Sequence, residues 1–239
     1  MSIVSSRKMA RQGAQPNRSV GHSTLYLWLI GAALLFVILL VVVIKFNNPQ
    51  PAATIAQPDL PAAWIDRTTL GNPDAKVIIE AYEDFLCPNC RVWHNTVQPQ
   101  LLEEYIKPGK VRLVFHNFPL TKASPGPQMA ALASQCAADQ NAFWPYQDQL
   151  FAVQRQGESA FRFEQLVAYA DQLGLAQPQF THCLSSFAHQ VAVDSAVQSG
   201  LDRGVTGTPT FFLNGQVVGN DYATLERAIE QQLAIGKDS

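Results

Sequence analysis

The stretch YEDFLCPNCRVWH, residues 82–94, holds two of the four cysteines in the 239-residue chain. Cys87 and Cys90 flank a Pro-Asn dipeptide. The apolar run before the pair is typical of a buried strand, and the residues after it predict a helix. A cysteine pair at such a junction can do redox chemistry, hold a metal ion or staple a loop.

The predicted helix begins directly after Cys87, and its N-terminus has unpaired N–H groups and a dipole that favour an anion. We therefore predict a lowered pKa for Cys87, which makes it the nucleophile. Cys90 lies one turn deeper and is the predicted resolving cysteine. Pro88 suits the first helical position, because no intrahelical partner exists there for an N–H. Asn89 cannot become a cation, but its side chain can donate a hydrogen bond to the Cys87 thiolate.

Two other uses of the pair are weaker. A structural zinc ion needs four ligands, and neither Cys136 nor the His182-Cys183 dipeptide has the spacing of a second pair. A disulfide across two residues stabilises the chain little, because its stabilisation grows with loop length. We predict a redox site that uses no metal and no organic cofactor.

The periodicity of the remaining sequence predicts a mixed sheet flanked by helices. The predicted elements are, in order, a strand from Ala75, a helix from Pro88 that Pro99 kinks or breaks, a strand at 111–118, a helical block at 125–200, a hairpin at 208–219 with its turn at Asn214-Gly215, and a helix at 222–234. The first three make a βαβ unit, which is expected to be parallel.

The N-terminal quarter of the chain has a different composition. Residues 25–44 contain no charge and no proline, and about 20 helical residues span the ~30 Å of a bilayer core. They predict a transmembrane anchor, since the run is longer than that of a cleaved signal peptide and no small-x-small site follows directly. Residues 45–63 are rich in proline, alanine and glutamine and predict a semi-extended linker.

Charge gives the orientation of this anchor. Residues 1–24 carry four basic side chains and no acid in the first twenty positions: Arg7, Lys8, Arg11 and Arg18. The positive-inside rule predicts a cytoplasmic N-terminus and an extracytoplasmic domain at 64–239. Disulfides persist in that compartment. The formal net charge of −2 gives no indication of a nucleic-acid partner.

Three motifs together resemble the DsbA-like thioredoxin-fold disulfide oxidoreductases: EDFLCPNC at 83–90, FHNFPL at 115–120 and GVTGTPTFFLNG at 204–215. The resemblance covers roughly residues 64–234. It implies a thioredoxin fold, β-α-β … β-β-α, with a helical insertion at about 120–203. It also implies a cis Thr208-Pro209 peptide facing the cysteines, with the backbone of Thr208 binding an extended substrate.

The resemblance further implies a function. Reduced or unfolded exported proteins are the expected substrates, and a membrane quinone-linked thiol oxidase, like DsbB or VKOR, is the expected partner that reoxidises the cysteines. Two alternatives stay open: a disulfide reductase or isomerase that uses the same site, and a non-catalytic metal-binding module or metallochaperone.

The chain departs from the family pattern at one acidic position. Many relatives carry a buried acid six residues before the first cysteine, where this chain has Ala81. Glu83 shares the strand face of Ala81 and is the candidate substitute. By itself, however, a Glu83-Asp84 pair at a strand end is more typical of solvated charges.

The other two cysteines and the substrate surface are less determined. Some relatives have a second disulfide in the helical domain, and Cys136 and Cys183 are the remaining pair. Linking them would close a loop of about 48 residues, worth ~4 kcal/mol in the chain-entropy model; buried free thiols are the alternative. An apolar groove for substrates is expected near Cys87, from exposed Phe85, Leu86 and Val205.

Overall fold

The computed structural model describes residues 22–47, 57–120 and 124–235. The chain divides into two units, at residues 1–50 and 51–239. In the first unit, helix α1 spans His22–Asn47, and its described side chains, 26–40, are exposed. No helix in the described ranges is both long and apolar enough to pass through a membrane. The basic residues before position 22 and linker residues 48–56 lie outside the described residues.

A six-stranded sheet in the order β1-β2-β4-β3-β5-β6 organises the second unit. The strands are β1 Ile65–Asp66, β2 Thr69–Gly71, β3 Val77–Glu83, β4 Val111–Asn117, β5 Thr210–Leu213 and β6 Gln216–Val218. Strand β3 is central, since it pairs in parallel with β4 and antiparallel with β5. The predicted mixed sheet and its parallel βαβ unit are therefore confirmed.

Helices follow in the predicted places. They are α2 Pro88–Thr96, α3 Gln98–Leu101, α4 Pro125–Ala138, α5 Phe143–Val153, α6 Phe163–Gln172, α7 Gln177–Ser185, α8 Gln190–Asp202 and α9 Tyr222–Ile235. A 3₁₀ segment, Gln154–Phe161, follows α5. Helices α4 to α8 form the predicted insertion between β4 and β5.

The long helix predicted after the cysteines is interrupted. Helix α2 ends at Thr96, α3 begins beside Pro99, and Leu102–Ile106 continues as a π-helix. Proline has no N–H to donate and its ring crowds the preceding turn, so the break falls where Pro99 predicts it.

The sequence predicts the hairpin turn correctly but not the first elements of the domain. Asn214 and Gly215 have φ values of 47° and 83°, the conformation of a two-residue type I′ turn. By contrast, β1 and β2 were not predicted, because strands of two and three residues carry no readable alternation. The linker prediction to residue 63 is also too long: Leu60 packs against the core and a 3₁₀ turn forms at Ala62–Trp64.

Packing joins the cysteine helix to the sheet. The Trp93 ring of α2 lies 4.5 Å from the Phe211 ring of β5, and Phe85 contacts Phe115 and Phe151 at 5.5 and 5.2 Å. Each buried aromatic side chain contributes about 1.5–3 kcal/mol. The start of α2 is thus held over the carboxyl end of β3.

Candidate active site

Cys87 is the N-cap residue of α2, with extended backbone angles of −74° and 119°, and Pro88 follows as the first helical residue. The Cys87 N–H donates to the Asp84 carbonyl at 3.0 Å, so a tight turn leads from β3 into the helix. The sulfur consequently lies at the helix N-terminus, as the sequence predicts.

The Cys87 thiol has a pKa lowered to about 6. The main cause is a hydrogen bond from the Cys90 thiol; the Thr208 side chain and the backbone N–H groups of Cys90 and Asn89 add to it, while partial burial opposes it. The contribution of Asn89 therefore comes through its backbone N–H, not through the side chain proposed from the sequence. Pro88 and Asn89 are both exposed.

Cys90 has the opposite surroundings. Its side chain is fully buried, and burial, the hydrogen bond to Cys87 and, where Glu83 is ionised, the charge of that carboxylate all raise its pKa. Both cysteines are free thiols in this structure. A metal held by both sulfurs would require Cys90 to lose its proton, which is the deprotonation that this environment opposes.

Thr208 is distant from Cys87 in sequence but adjacent to it in the fold. The Thr208-Pro209 peptide is cis, as the resemblance implies. The Cys87 thiol donates to the Thr208 carbonyl at 3.2 Å. The Thr208 hydroxyl is buried, and no hydrogen bond within the described ranges holds it while Cys87 is a thiol. Once Cys87 loses its proton, this hydroxyl can donate to the thiolate, which is how the Thr208 side chain helps lower the pKa. The structure thus brings Cys87, Cys90, Thr208 and Pro209 together.

The interpretation of Glu83 as a solvated charge is wrong. Its side chain is 1% exposed, and neither carboxyl oxygen has a hydrogen-bond partner among the described residues. Burial, followed by the negative charge of Cys87, raises its pKa well above the ordinary value. Glu83 lies on the face of β3 that carries Ile79 and Ala81 and packs against the core. It is a buried acid close to the two cysteines, and its burial favours the protonated form.

Asp84 is also buried, at 4% exposure, so its interpretation as a solvated charge is wrong too. Its carboxylate accepts from the N–H of Leu86 at 2.7 Å and of Leu120 at 2.9 Å. Burial raises its pKa, and these two hydrogen bonds oppose the shift. Asp84 therefore shapes the turn before Cys87 and fixes it to the segment after β4.

Sequence reasoning missed Gln154. This buried residue begins the 3₁₀ segment of the insertion, and its amide donates to the carbonyls of Phe85 and Cys87 at 2.7 and 2.8 Å. Its own carbonyl accepts from Arg91 Nε at 3.0 Å. No periodicity or motif marks Gln154, because its partners lie more than 60 positions away.

The predicted apolar groove is only partly present. Phe85 and Val205 are each 1% exposed, so they belong to the core and cannot contact a substrate. Leu86 is half-buried. Leu120, held by Asp84, is 43% exposed. Of the three residues predicted for the groove, only Leu86, directly before Cys87 in the chain, is therefore partly accessible.

The remaining cysteines form the bridge that the resemblance implies. A Cys136–Cys183 disulfide joins α4 to α7, so these two residues are bonded to each other rather than buried as free thiols. Asp139 lies beside the bridge and pairs with His189 at 2.6 Å and with Arg67 at 2.6 Å.

Comparison with known proteins agrees with this geometry. A protein-family model described as Thioredoxin matches residues 65–231. The probable disulfide bond formation protein D of Bacillus anthracis is 32% identical over 178 residues, which cover 72% of this chain and 80% of the relative.

Two solved structures share the fold. BdbD from Bacillus subtilis, in its oxidised form, superposes with a TM-score of 0.65 at 24% identity, covering 76% of this chain and 98% of the other. The α-DsbA1 protein of Wolbachia pipientis gives a TM-score of 0.61 at 23% identity, with coverages of 76% and 98%. The chain therefore belongs to the thioredoxin family, as a DsbA-like thiol:disulfide oxidoreductase.

Proposed function

We propose that this chain is a membrane-anchored oxidase that introduces disulfide bonds into reduced exported proteins outside the cytoplasm. The observation that carries the proposal is the asymmetry of the pair: the pKa of Cys87 is lowered to about 6, and that of buried Cys90 is raised. An acidic attacking cysteine with a buried partner is the arrangement that disulfide exchange requires. The related protein from Bacillus anthracis carries the name of a disulfide bond formation protein.

The first step is a thiol–disulfide exchange that forms a mixed disulfide between substrate and enzyme. A substrate thiolate attacks Cys87 Sγ in the oxidised Cys87–Cys90 pair, the bond between the two cysteines breaks, and Cys90 leaves with its electron pair. The substrate is then linked to Cys87 and extends along the Thr208 backbone. Since a bare thiolate at Cys90 is strongly opposed by burial, the leaving sulfur takes a proton in this mechanism. The acid assigned to supply it is Glu83, because it is buried and its pKa is raised.

The second step releases the product. A second substrate thiolate attacks the substrate sulfur of the mixed disulfide, so that a disulfide forms in the substrate and Cys87 leaves as a thiolate. The two electrons now reside in the Cys87/Cys90 dithiol. Stabilisation of the Cys87 thiolate favours the reduced enzyme by at most about 1.4 kcal/mol at pH 7, or about 30 mV, and by less after solvent screening of the half-buried sulfur.

The direction of electron flow is tested by equilibration with glutathione. We expect a Cys87–Cys90 potential closer to the approximately −120 mV of DsbA than to the approximately −270 mV of thioredoxin. The oxidised protein should also restore activity to a reduced, unfolded disulfide-containing enzyme, and Cys87→Ser should not. A potential near that of thioredoxin supports a reductase; stoichiometric metal in the purified protein, without exchange activity, supports a metallochaperone.

The cellular location is part of the proposal. Residues 25–44 form an uncharged apolar run, and four basic residues precede it, which favours a cytoplasmic N-terminus. A membrane-impermeant maleimide applied to intact cells, after mild reduction, should label Cys87 of the full chain. The protein should also remain in the pellet after alkaline carbonate extraction. Labelling only after cell lysis, or release by carbonate, contradicts the anchor and its orientation.

The partner follows from electron balance. Each turnover leaves two electrons on Cys87 and Cys90, and a membrane thiol oxidase that reduces a quinone, like DsbB or VKOR, would remove them. In membranes that contain such an oxidase, depletion of quinone should convert the pair to the dithiol. An unchanged disulfide fraction after depletion contradicts a quinone-linked partner.

A further inference from the structure

The buried amide of Gln154, in the helical insertion, makes three hydrogen bonds to residues 85–91, the CPNC turn. The side-chain NH₂ of Gln154 donates one hydrogen bond to the Phe85 carbonyl and one to the Cys87 carbonyl. Its oxygen accepts a hydrogen bond from Arg91 Nε. The three partners are the second residue before Cys87, Cys87 itself and the residue directly after Cys90. The contacts of Gln154 therefore bracket both cysteines.

The chemistry of these partners requires a primary amide. Two carbonyl oxygens need two donors, and the Arg91 N–H needs an acceptor, which only an Asn or Gln side chain offers in one planar group. A carboxylate in place of the Gln154 amide would turn an acceptor toward two carbonyls. A thioether would remove all three contacts, and the Cys87 carbonyl would keep only the Arg91 backbone N–H, at 3.3 Å. Gln154 is also 7% exposed, so water is poorly placed to replace the lost contacts.

These contacts act on the backbone that controls the nucleophile. Cys87 is the N-cap residue, and the backbone N–H groups of Asn89 and Cys90 contribute to the lowered pKa of its thiol. The directions of those N–H groups depend on the backbone turn at residues 85–87, whose carbonyls Gln154 holds at both ends. A small rotation of this turn would move the donors away from Cys87 Sγ.

We propose that Gln154 is a positioning residue for thiol–disulfide exchange, whose amide fixes the CPNC turn so that the Asn89 and Cys90 N–H groups face Cys87 Sγ. The inference rests on the proposed function and deepens it, because it gives a residue of the helical insertion a role in determining the reduction potential of the Cys87–Cys90 pair. Phe151, three residues earlier, packs on Phe85 at 5.2 Å, so the same stretch of the insertion also holds the side chain of the turn.

The test uses four single variants of the full chain. Gln154→Met removes all three hydrogen bonds at similar volume, Gln154→Glu keeps the Arg91 contact but loses both donors, and Arg91→Met loses only that contact. Gln147→Met is the matched control, since Gln147 is fully buried and its amide pairs with Gln98, away from the turn. The readouts are Cys87 thiolate absorbance against pH, the equilibrium constant with glutathione and thermal unfolding.

We expect Gln154→Met and Gln154→Glu to raise the pKa of Cys87 by about one unit, which lowers the equilibrium constant for enzyme reduction by glutathione about fivefold at pH 7. Arg91→Met should change both values little. Gln147→Met should lower the unfolding temperature without moving the titration of Cys87. Folded Gln154 variants with wild-type titration and equilibrium constant overturn the inference, as does an equal shift in Gln147→Met.

A second variant covers loss of folding. If Gln154→Met does not fold, Gln154→Asn keeps a buried amide that is one methylene too short to reach both carbonyls, and we expect the same shift. If neither folds, Gln154 is a folding residue and the inference fails. A wild-type protein that does not exchange with glutathione contradicts the function itself, whereas an active wild type beside unaffected variants contradicts only the role of Gln154.

Discussion

Cys87 and Cys90 have the same side chain three positions apart, and their environments drive their protonation in opposite directions. Cys87 receives hydrogen bonds at a helix N-terminus, so its pKa is lowered to about 6. Cys90 is enclosed beside an acid, and its pKa is raised. Sequence spacing predicts the first effect, because helix N-termini are visible in sequence, but the second depends on burial by distant residues.

A titration of the reduced protein checks this asymmetry. Thiolate absorbance should rise with a midpoint near pH 6 in the wild type. Asn89→His should lower that midpoint by about half a unit or more, because an imidazolium beside Cys87 favours the thiolate where asparagine offers no charge.

Cys87→Ser is the control for the assignment, and it should abolish the transition below about pH 8, since Cys90 keeps its proton there. A wild-type midpoint above about 8, close to that of an ordinary thiol, would contradict the proposed nucleophile.

Glu83 gives a prediction about stability. It is protonated in the fold and ionised in the unfolded chain at neutral pH, since burial raises its folded pKa. A raised folded pKa favours folding below the unfolded value and loses that contribution as pH increases toward the folded value. Glu83→Gln, which is neutral at all pH values, should therefore increase the free energy of unfolding at pH 7 and remove this part of its pH dependence.

The same variant should exchange disulfides more slowly, because Cys90 loses its proton source. Urea unfolding at pH 5 and pH 7, with stopped-flow kinetics of mixed-disulfide formation, measures both effects. A variant that is less stable than wild type at pH 7, or equally fast in exchange, would remove Glu83 from the mechanism. Sequence placed Glu83 on the correct strand face, but its burial depends on packing by parts of the chain that a local pattern does not reveal.

At the scale of elements, the main strands and their connections follow local sequence patterns and could therefore be predicted. The apolar run of β3, the alternation in β4 and the Asn214-Gly215 turn each determine their own element. Strands β1 and β2 and the π-helix depend on tertiary pairing and on Pro99, so only the break was predictable. The position of Gln154 against α2 was not, because it results from folding of the whole insertion.

An ion pair on the other face of β3 fixes α8 to the sheet. Arg203, at the end of α8, binds Glu80 through two hydrogen bonds of 2.6 and 2.9 Å, and its guanidinium lies 3.9 Å from the Phe212 ring centre. His116 is 3.3 Å from the same carboxylate. The nearby His116 ring and the contacts with Arg203 lower the pKa of Glu80 to about 2, although burial opposes the shift.

This pair predicts an acid transition in stability. Because the folded pKa of Glu80 is depressed, its contribution is complete above the unfolded value of about 4.5 and is lost as pH falls toward about 2. Roughly 3 kcal/mol at most should disappear over that window, and Glu80→Gln should remove this pH dependence. Urea unfolding between about pH 2.5 and 6 measures it.

The exposed pair of Glu103 and Lys107 is the matched control. These residues lie four positions apart at 2.7 Å, and Glu103→Gln should change the acid slope of stability little, because solvent screens an ion pair at the surface. If Glu80→Gln keeps the acid slope of the wild type, the stability of the Arg203 contact does not depend on Glu80 ionisation.

On the scale of the whole molecule, the helical insertion is tied to the thioredoxin part and to itself by long-range links. Gln154 reaches the catalytic turn, and Asp84 reaches Leu120 at the start of the insertion. The Cys136–Cys183 bridge then joins α4 to α7 over a sequence separation of 47. Sequence order predicts that an insertion exists, whereas its attachment to the active site is a property of the assembled fold.

Removal of the bridge should weaken the entire domain, because the disulfide restricts the unfolded chain more than the folded one. For a loop of this length the chain-entropy model gives ~4 kcal/mol, so Cys136→Ala/Cys183→Ala should lower Tm by about 10 °C in a chain of this size. Calorimetry of the variant against wild type measures it, and the single variant Cys136→Ala separates loss of the bridge from loss of the second buried sulfur. A decrease below about 2 °C in the double variant would mean that helices α4 and α7 stay restrained by their apolar contacts, and that the bridge adds little to the stability of the fold.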